Sequence, residues 1–215
     1  MKVFKFGGAS LRDAASIRNM VNIVKAYGEL PLLIVVSAMG KTTNGLERVL
    51  ESYRKTRRPG PEFDAVRDYH LAVMHELFPP SHDVEQTLQR ALQALTESHS
   101  DDAAYDQLVS CGELLSSTIV HHFLVLEGLP STWMDARNFI ATDENFREGH
   151  VDWDLTLKKI KSLESVLEKR IILTQGFIGK SPTGQTTTLG REGSDFSAAI
   201  FASLLKAESV TIWKD

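Results

Sequence analysis

Thr186-Thr-Thr-Leu-Gly-Arg-Glu-Gly-Ser-Asp195 lies between two stretches that read as regular structure. Upstream, Ile171-Ile172-Leu173-Thr174 is an apolar, β-branched run of the kind that forms a buried strand. Downstream, Phe196-Ser-Ala-Ala-Ile-Phe-Ala-Ser-Leu-Leu205 reads as a helix. A loop that mixes hydroxyls, glycines, one arginine and one aspartate and then opens a helix suits an anion. The free N–H groups of a helix N-terminus point outward with partial positive charge. Arg191 can grip a carboxylate or phosphate through two parallel bonds. The alternative is an ordinary capped turn, with Ser194 or Asp195 as the N-cap.

Two earlier segments repeat the pattern. Met1-Lys-Val-Phe-Lys-Phe6 alternates as a strand, Gly7-Gly8-Ala9-Ser10 breaks it, and helical spacing runs from about Arg12 to Tyr27 before Gly28. Paired glycines allow close backbone approach to a bound group. Lys5, one residue from the strand end, can reach phosphate oxygens or can be an ordinary solvated strand lysine. The next strand, Leu32 to Val36, leads into Ser37-Ala-Met-Gly-Lys-Thr-Thr-Asn44. Gly40-Lys41-Thr42 is not a P-loop, because that motif needs a glycine at the position of Val35. No Gly-x-Gly-x-x-Gly follows any strand, so the dinucleotide fingerprint is absent as well. Three glycine- and hydroxyl-rich loops, each between strand and helix, predict an α/β fold with ligands outside the carboxyl ends of the strands.

Taken together, the loops resemble those of the aspartate kinases, within the amino-acid kinase fold. Lys5-Phe6-Gly7-Gly8-Ala9-Ser10 is similar to that family's Lys-Phe-Gly-Gly-Thr-Ser opening. Val36-Ser37-Ala38 with Thr43-Asn44, Ser110-Cys111-Gly112-Glu113, Gln175-Gly-Phe-Ile-Gly179 and Thr186 to Asp195 resemble its other signatures, in order along the chain. Ala9 stands where the family usually has threonine, and Glu192 where it usually has glycine.

The resemblance implies a three-layer αβα domain with a mainly parallel sheet, and transfer of the ATP γ-phosphoryl group, with Mg²⁺, to the side-chain carboxylate of L-aspartate. That reaction opens lysine, threonine and methionine biosynthesis. By the same resemblance Lys5 and Asp195 are catalytic, Lys5 neutralising phosphate and Asp195 holding it in place. Gly7, Gly8, Ser10 and Asp215 would meet the nucleotide. Arg191 would clamp the α-carboxylate and Glu113 the amino group, with Ser37, Thr43, Gly193 and Ser194 completing the pocket. Arg137 and Asp143 would flank it, or form a solvent-side ion pair. The alternatives are another small-molecule kinase of this fold and a catalytically incompetent binding fragment.

Residues 1–215 are expected to be the N-terminal part of one such catalytic domain, with a helical lobe at about 45–127. The resemblance places the remaining nucleotide-binding segment and the regulatory domains beyond this stretch, so the chain alone is expected to fold but to turn over little. Helices are expected over 45–58, 62–78 and 83–98, with a short one starting near Asp101. Ser110-x-x-Glu113 has the letters of a capping box before an apolar helix from Leu114 to Leu126, with Cys111 in a tight turn. Composition agrees with a soluble globular protein: 42% hydrophobic, 24% charged and net charge −4. It gives no basic surface for nucleic acid and no reason to expect membrane attraction. One cysteine suits a reducing compartment, and no apolar run approaches ~20 residues. A cytoplasmic protein is expected, and an exposed apolar edge near Val210 and Ile212 points to homo-oligomers. The histidines lack metal-ligand spacing and read as surface or satisfied core residues.

Overall fold

The computed structural model describes residues 1–58, 60–78, 86 and 101–214. Five parallel strands form the central sheet: β1 (Lys2–Phe6), β2 (Leu32–Val36), β3 (Ser131–Met134), β4 (Ile171–Gln175) and β7 (Ser209–Trp213), in the order β3-β4-β2-β1-β7. An antiparallel pair, β5 (Ile178–Lys180) with β6 (Thr186–Thr188), stands beside it. Among the described residues the α-helices are α1 (Ala14–Tyr27), α2 (Thr42–Thr56), α3 (Pro61–Leu77), α4 (Asp101–Leu126), α5 (Trp153–Ile160), α6 (Glu164–Leu167) and α7 (Gly193–Leu204).

Strand alternation divides the apolar side chains between two cores, which makes the domain three-layered. Phe4, Phe6, Leu32, Ile34, Val36, Ile171 and Leu173 face α1 to α4. Val3, Leu33, Val35 and Ile172 face α5 and α7. A parallel sheet covered on both faces needs near-continuous apolar strands, and Leu32 to Val36 is completely buried. β7 is an edge strand, with Val210 and Ile212 42% and 44% exposed. Its Trp213 stacks on Phe6 with ring centroids 6.0 Å apart.

The helix around Glu113 departs from the sequence expectation. The helix described over Asp101–Leu126 has 26 residues rather than being a short one, and Ser110 to Glu113 lie inside it. Ser110 is not a cap: its hydroxyl donates back to the Gln107 carbonyl at 2.8 Å. Cys111 is not in a turn; it is buried in the helix, and burial pushes its thiol up to about 12. Gly112 interrupts nothing, because its missing side chain is a packing requirement. A Cβ there would lie 3.0 Å from Ala38 Cβ and 3.1 Å from Thr42 Cγ2, so the glycine lets the third loop rest on the helix. Among the described residues α4 is the helix long and apolar enough to span a membrane, and 72% of that apolar window is buried in this fold.

The helices expected at 45–58 and 62–78 are α2 and α3, within a few residues; the one expected at 83–98 lies, apart from residue 86, outside the described residues. His70 is a satisfied core residue. It is fully buried between the Val66 carbonyl and the Thr42 hydroxyl, and desolvation lowers it to about 4.

Candidate active site

The carboxyl ends of β1, β2, β4 and β7 open into one cavity of about 780 Å³, lined among others by Lys5, Ser37, Phe177 and Lys214. This is the expected place in an α/β sheet. Gly8, Thr43, Glu113, Arg191, Gly193, Ser194 and Asp195 line it too. The structure therefore brings together residues separated by nearly the whole chain.

Lys5 is 5% exposed, and its Nζ lies 2.6 Å from Asp195 Oδ1. The other carboxylate oxygen, Oδ2, holds Lys214 Nζ at 2.7 Å. Partial burial pushes the Asp195 carboxyl up, but hydrogen bonds from Lys214 and Lys5 and their charges outweigh it, so it sits below the ordinary carboxylate value. One carboxylate thus organises two ammonium groups, leaving local positive charge for an anion. Asp195 reaches them from the first turn of α7, whose N-terminal residues Gly193 and Ser194 also face the cavity. A helix N-terminus adds its partial positive charge there.

Glu113 supplies the opposite sign. Its side chain is buried, Oε1 accepts a hydrogen bond from Ala38 N at 3.2 Å, and Oε2 has no partner. Desolvation is the main cause that raises this carboxyl to about 8, against smaller lowering effects from Ala38 and the charge of Lys5. A buried oxygen without a partner is costly unless a ligand supplies a donor. Arg191 lines the same cavity, is exposed, and makes no ion pair among the described residues.

Several expected residues have other tasks. Gly7 N donates to the Trp213 carbonyl at 3.1 Å, and the Ser10 hydroxyl donates to the same oxygen at 3.2 Å. Both tie β7 to the Gly7–Ser10 loop and neither lines the cavity. Asp215 lies outside the described residues. Ser194 and Asp195 are not N-caps: Glu192 occupies that position, with no side-chain cap bond. Glu192 has φ +54, a left-handed conformation that costs an L-residue roughly 1–2 kcal/mol and suits glycine. The threonine hydroxyls of the anion loop are spent on the wall. Thr186 Oγ1 accepts from Arg137, Thr187 bonds Thr142 at 2.6 Å, and Thr188 donates to Asp106 at 2.8 Å.

Arg137 and Asp143 do not pair with each other. Arg137 Nη2 lies 2.6 Å from Asp135, and Asp143 Oδ2 lies 2.7 Å from His150 Nδ1. Both residues brace the structure outside the cavity lining.

Tyr105, Arg147 and Lys214 line the cavity without having stood out in the sequence. Lys214 follows β7, and only the strand order places it beside Lys5. No local signal marks Tyr105 or Arg147.

The sequence pattern of the amino acid kinase family matches residues 1–215. The chain is 33% identical over 225 residues to lysine-sensitive aspartokinase 3 of Escherichia coli, covering 99% of this chain and 48% of that protein. It is 34% identical over 214 residues to the aspartokinase of Chlamydia trachomatis, again covering 99% and 48%. Crystalline E. coli aspartokinase III in complex with aspartate and ADP superposes with a TM-score of 0.89 at 31% identity, covering 100% of this chain and 49% of that one. The chain spans about half the length of these relatives. A five-stranded parallel sheet between helical layers, a buried lysine held by an aspartate at the strand ends, and a match over the full length agree: this chain belongs to the amino acid kinase family.

Proposed function

We propose that this chain forms the amino-acid and phosphoryl-transfer part of an ATP-dependent L-aspartate kinase, which makes 4-phospho-L-aspartate at the entry to lysine, threonine and methionine biosynthesis. The observation that carries this reading is the buried, unpartnered Glu113 Oε2 in the same cavity as the unpaired Arg191 and the Lys5–Asp195 pair. Glu113 offers a site for an ammonium, Arg191 one for a carboxylate, and Lys5 one for the transferring phosphoryl group. A free amino acid with an acidic side chain has all the complementary groups. The aspartate and ADP bound by the E. coli aspartokinase III support the same reading.

A carboxylate is already a nucleophile, so no general base is required. The residues have to hold the side-chain carboxylate in line with the phosphoryl group and neutralise its charge. Lys5 does the second, aimed by Asp195. Among the described residues no group of three or more His, Cys, Asp or Glu side chains could hold a metal. Mg²⁺ would enter on the nucleotide's phosphates, where it would supply further charge neutralisation. Residues 1–215 would be the N-terminal part of a single catalytic domain, with a helical lobe at about 45–127 that takes in α2, α3 and α4.

The raised Glu113 carboxyl gives this reading a pH signature. Without ligand, Glu113 keeps its proton up to about pH 8. Binding an ammonium requires the carboxylate, so part of the binding energy goes into removing that proton at neutral pH. L-Aspartate affinity is expected to rise with pH between about 6 and 8, by at most about tenfold per unit, and then level off. Folding stability moves the other way. The unfolded chain ionises Glu113 from its ordinary value of 4.5 upward while the native state stays protonated, so this group's contribution declines across that window and flattens above 8. Calorimetry of aspartate binding at several pH values checks it. Glu113→Gln should bind weakly with a flat profile; an unchanged slope in that variant removes Glu113 from the pocket's chemistry.

The exposed β7 edge with Val210 and Ile212 supports self-association of the 215-residue chain. Sedimentation velocity should show a concentration-dependent dimer that Val210→Lys reduces; a strictly monomeric wild type contradicts this.

A further inference from the structure

Arg147 lines the cavity, yet the proposed chemistry gives it nothing to do. It is a non-glycine residue at φ +71, and a strained backbone of that kind persists only where its surroundings fix it. Here they do. Arg147 N donates to Asp106 Oδ2 at 2.9 Å, and Asp106 is completely buried. The same carboxylate accepts from Thr188 N and Thr188 Oγ1, each at 2.8 Å. The guanidinium lies over the Tyr105 ring, with Cζ 4.0 Å from the centroid. Tyr105 is itself anchored by its hydroxyl to Glu47 Oε1 at 2.8 Å.

Stacking of this kind holds a guanidinium plane while leaving its N–H edge available. Among the described residues its acidic side-chain contact is Asp102 at 3.5 Å, between two side chains that are 51% and 60% exposed, an arrangement that binds weakly in water. The backbone places Arg147 beside the anion loop: a Cβ built on Gly190 would lie 3.5 Å from the Arg147 carbonyl oxygen. Arg191 is the next residue. Two guanidinium groups therefore flank the same wall, one unpaired and one pre-set on an aromatic face.

We propose that Arg147 is a second carboxylate-binding side chain of the amino-acid pocket, acting with Arg191 on the α-carboxylate. The assignment rests on the aspartate-kinase reading above. The side-chain carboxylate has to meet the phosphoryl group at Lys5, which is buried at the end of β1 and held by Asp195. The α-carboxylate is left for the Gly190–Arg191 wall, and its lone pairs accommodate donors from two guanidinium groups.

Arg147→Gly gives an unusually clean test, because glycine is at home at φ +71. The thermal midpoint of the variant should match or exceed that of the wild type, so a loss of binding does not come from misfolding. The 215-residue chain would be titrated calorimetrically with L-aspartate, with its α-amide and with L-asparagine. Wild type should prefer L-aspartate over both amides. Arg147→Gly should weaken L-aspartate about tenfold, shrink the preference over the α-amide, and leave the preference over L-asparagine unchanged; Arg147→Lys should recover part of the loss. If Arg147→Gly binds like wild type, the arginine only braces Tyr105 and the assignment is overturned. A loss of the preference over L-asparagine instead also overturns it, by moving Arg147 to the side-chain carboxylate. A wild type that binds no L-aspartate overturns the functional reading along with it, whereas a wild type that binds, with an Arg147→Gly that keeps full α-amide discrimination, overturns this assignment alone.

Discussion

Arg191→Ala is expected to weaken L-aspartate binding by well over tenfold while leaving nucleotide affinity nearly unchanged. Arg191 is exposed at the cavity wall and carries no ion pair among the described residues, so no internal partner compensates for its loss or is orphaned by it. Truncating one side of a hydrogen-bonded charge pair with a ligand costs about 2–5 kcal/mol, and each 1.4 kcal/mol is about tenfold in affinity. The fold should be untouched, since the wall is held by Asp106, Thr142 and Arg137 rather than by Arg191. Calorimetric titration of the variant with aspartate and, separately, with ATP–Mg²⁺ measures both affinities. Equal losses for the two ligands would show that Arg191 serves the cavity's general potential and not the amino acid.

Lys5→Met should act on rate more than on binding. Lys5 is the buried cation of the site, aimed by Asp195 from 2.6 Å. A preorganised group directed at developing charge is worth about 10²–10³-fold in kcat by analogy with removal of one oxyanion donor. In a form of the enzyme that turns over, kcat should fall by that order with modest changes in KM. Lys214 remains on Asp195 Oδ2 at 2.7 Å, so the variant does not strand an unpaired aspartate and should still fold. Retention of kcat in Lys5→Met would reduce Lys5 to a structural partner of Asp195.

The Gly7–Ser10 and Ser37–Asn44 loops were legible in the sequence because turn chemistry is local, whereas Thr186–Thr188, read as loop, is strand β6 of the antiparallel pair. Glycines and hydroxyls after an apolar strand state their conformation within a few residues. Glu113 was legible only through the family resemblance. The letters Ser110-x-x-Glu113 fit a helix start, and they equally fit a helix interior in which the serine bonds back to Gln107. What decides between them is the burial of a 26-residue helix against the sheet, which no window of four residues contains.

The same limit explains the threonines. Thr186 to Thr188 carry hydroxyls suited to an anion, but Arg137, Thr142 and Asp106, distant in sequence, take them up. Lys214 was hidden by strand order, since β7 pairs with β1 across more than two hundred residues. The hydrogen bonds of Gly7 and Ser10 were hidden for the same reason: their partner is the Trp213 carbonyl on that distant strand.

In the proposed site one cavity joins an ammonium site at Glu113 to an anion site at Arg191 and Lys5. Calorimetric titration of the 215-residue chain with L-aspartate, run at pH 7 in two buffers of different ionisation enthalpy, tests it directly. Binding should be accompanied by proton release, because Glu113 must ionise to accept the ammonium, and that release should be lost in Glu113→Gln. Binding with no proton release, or no binding at all, would contradict it.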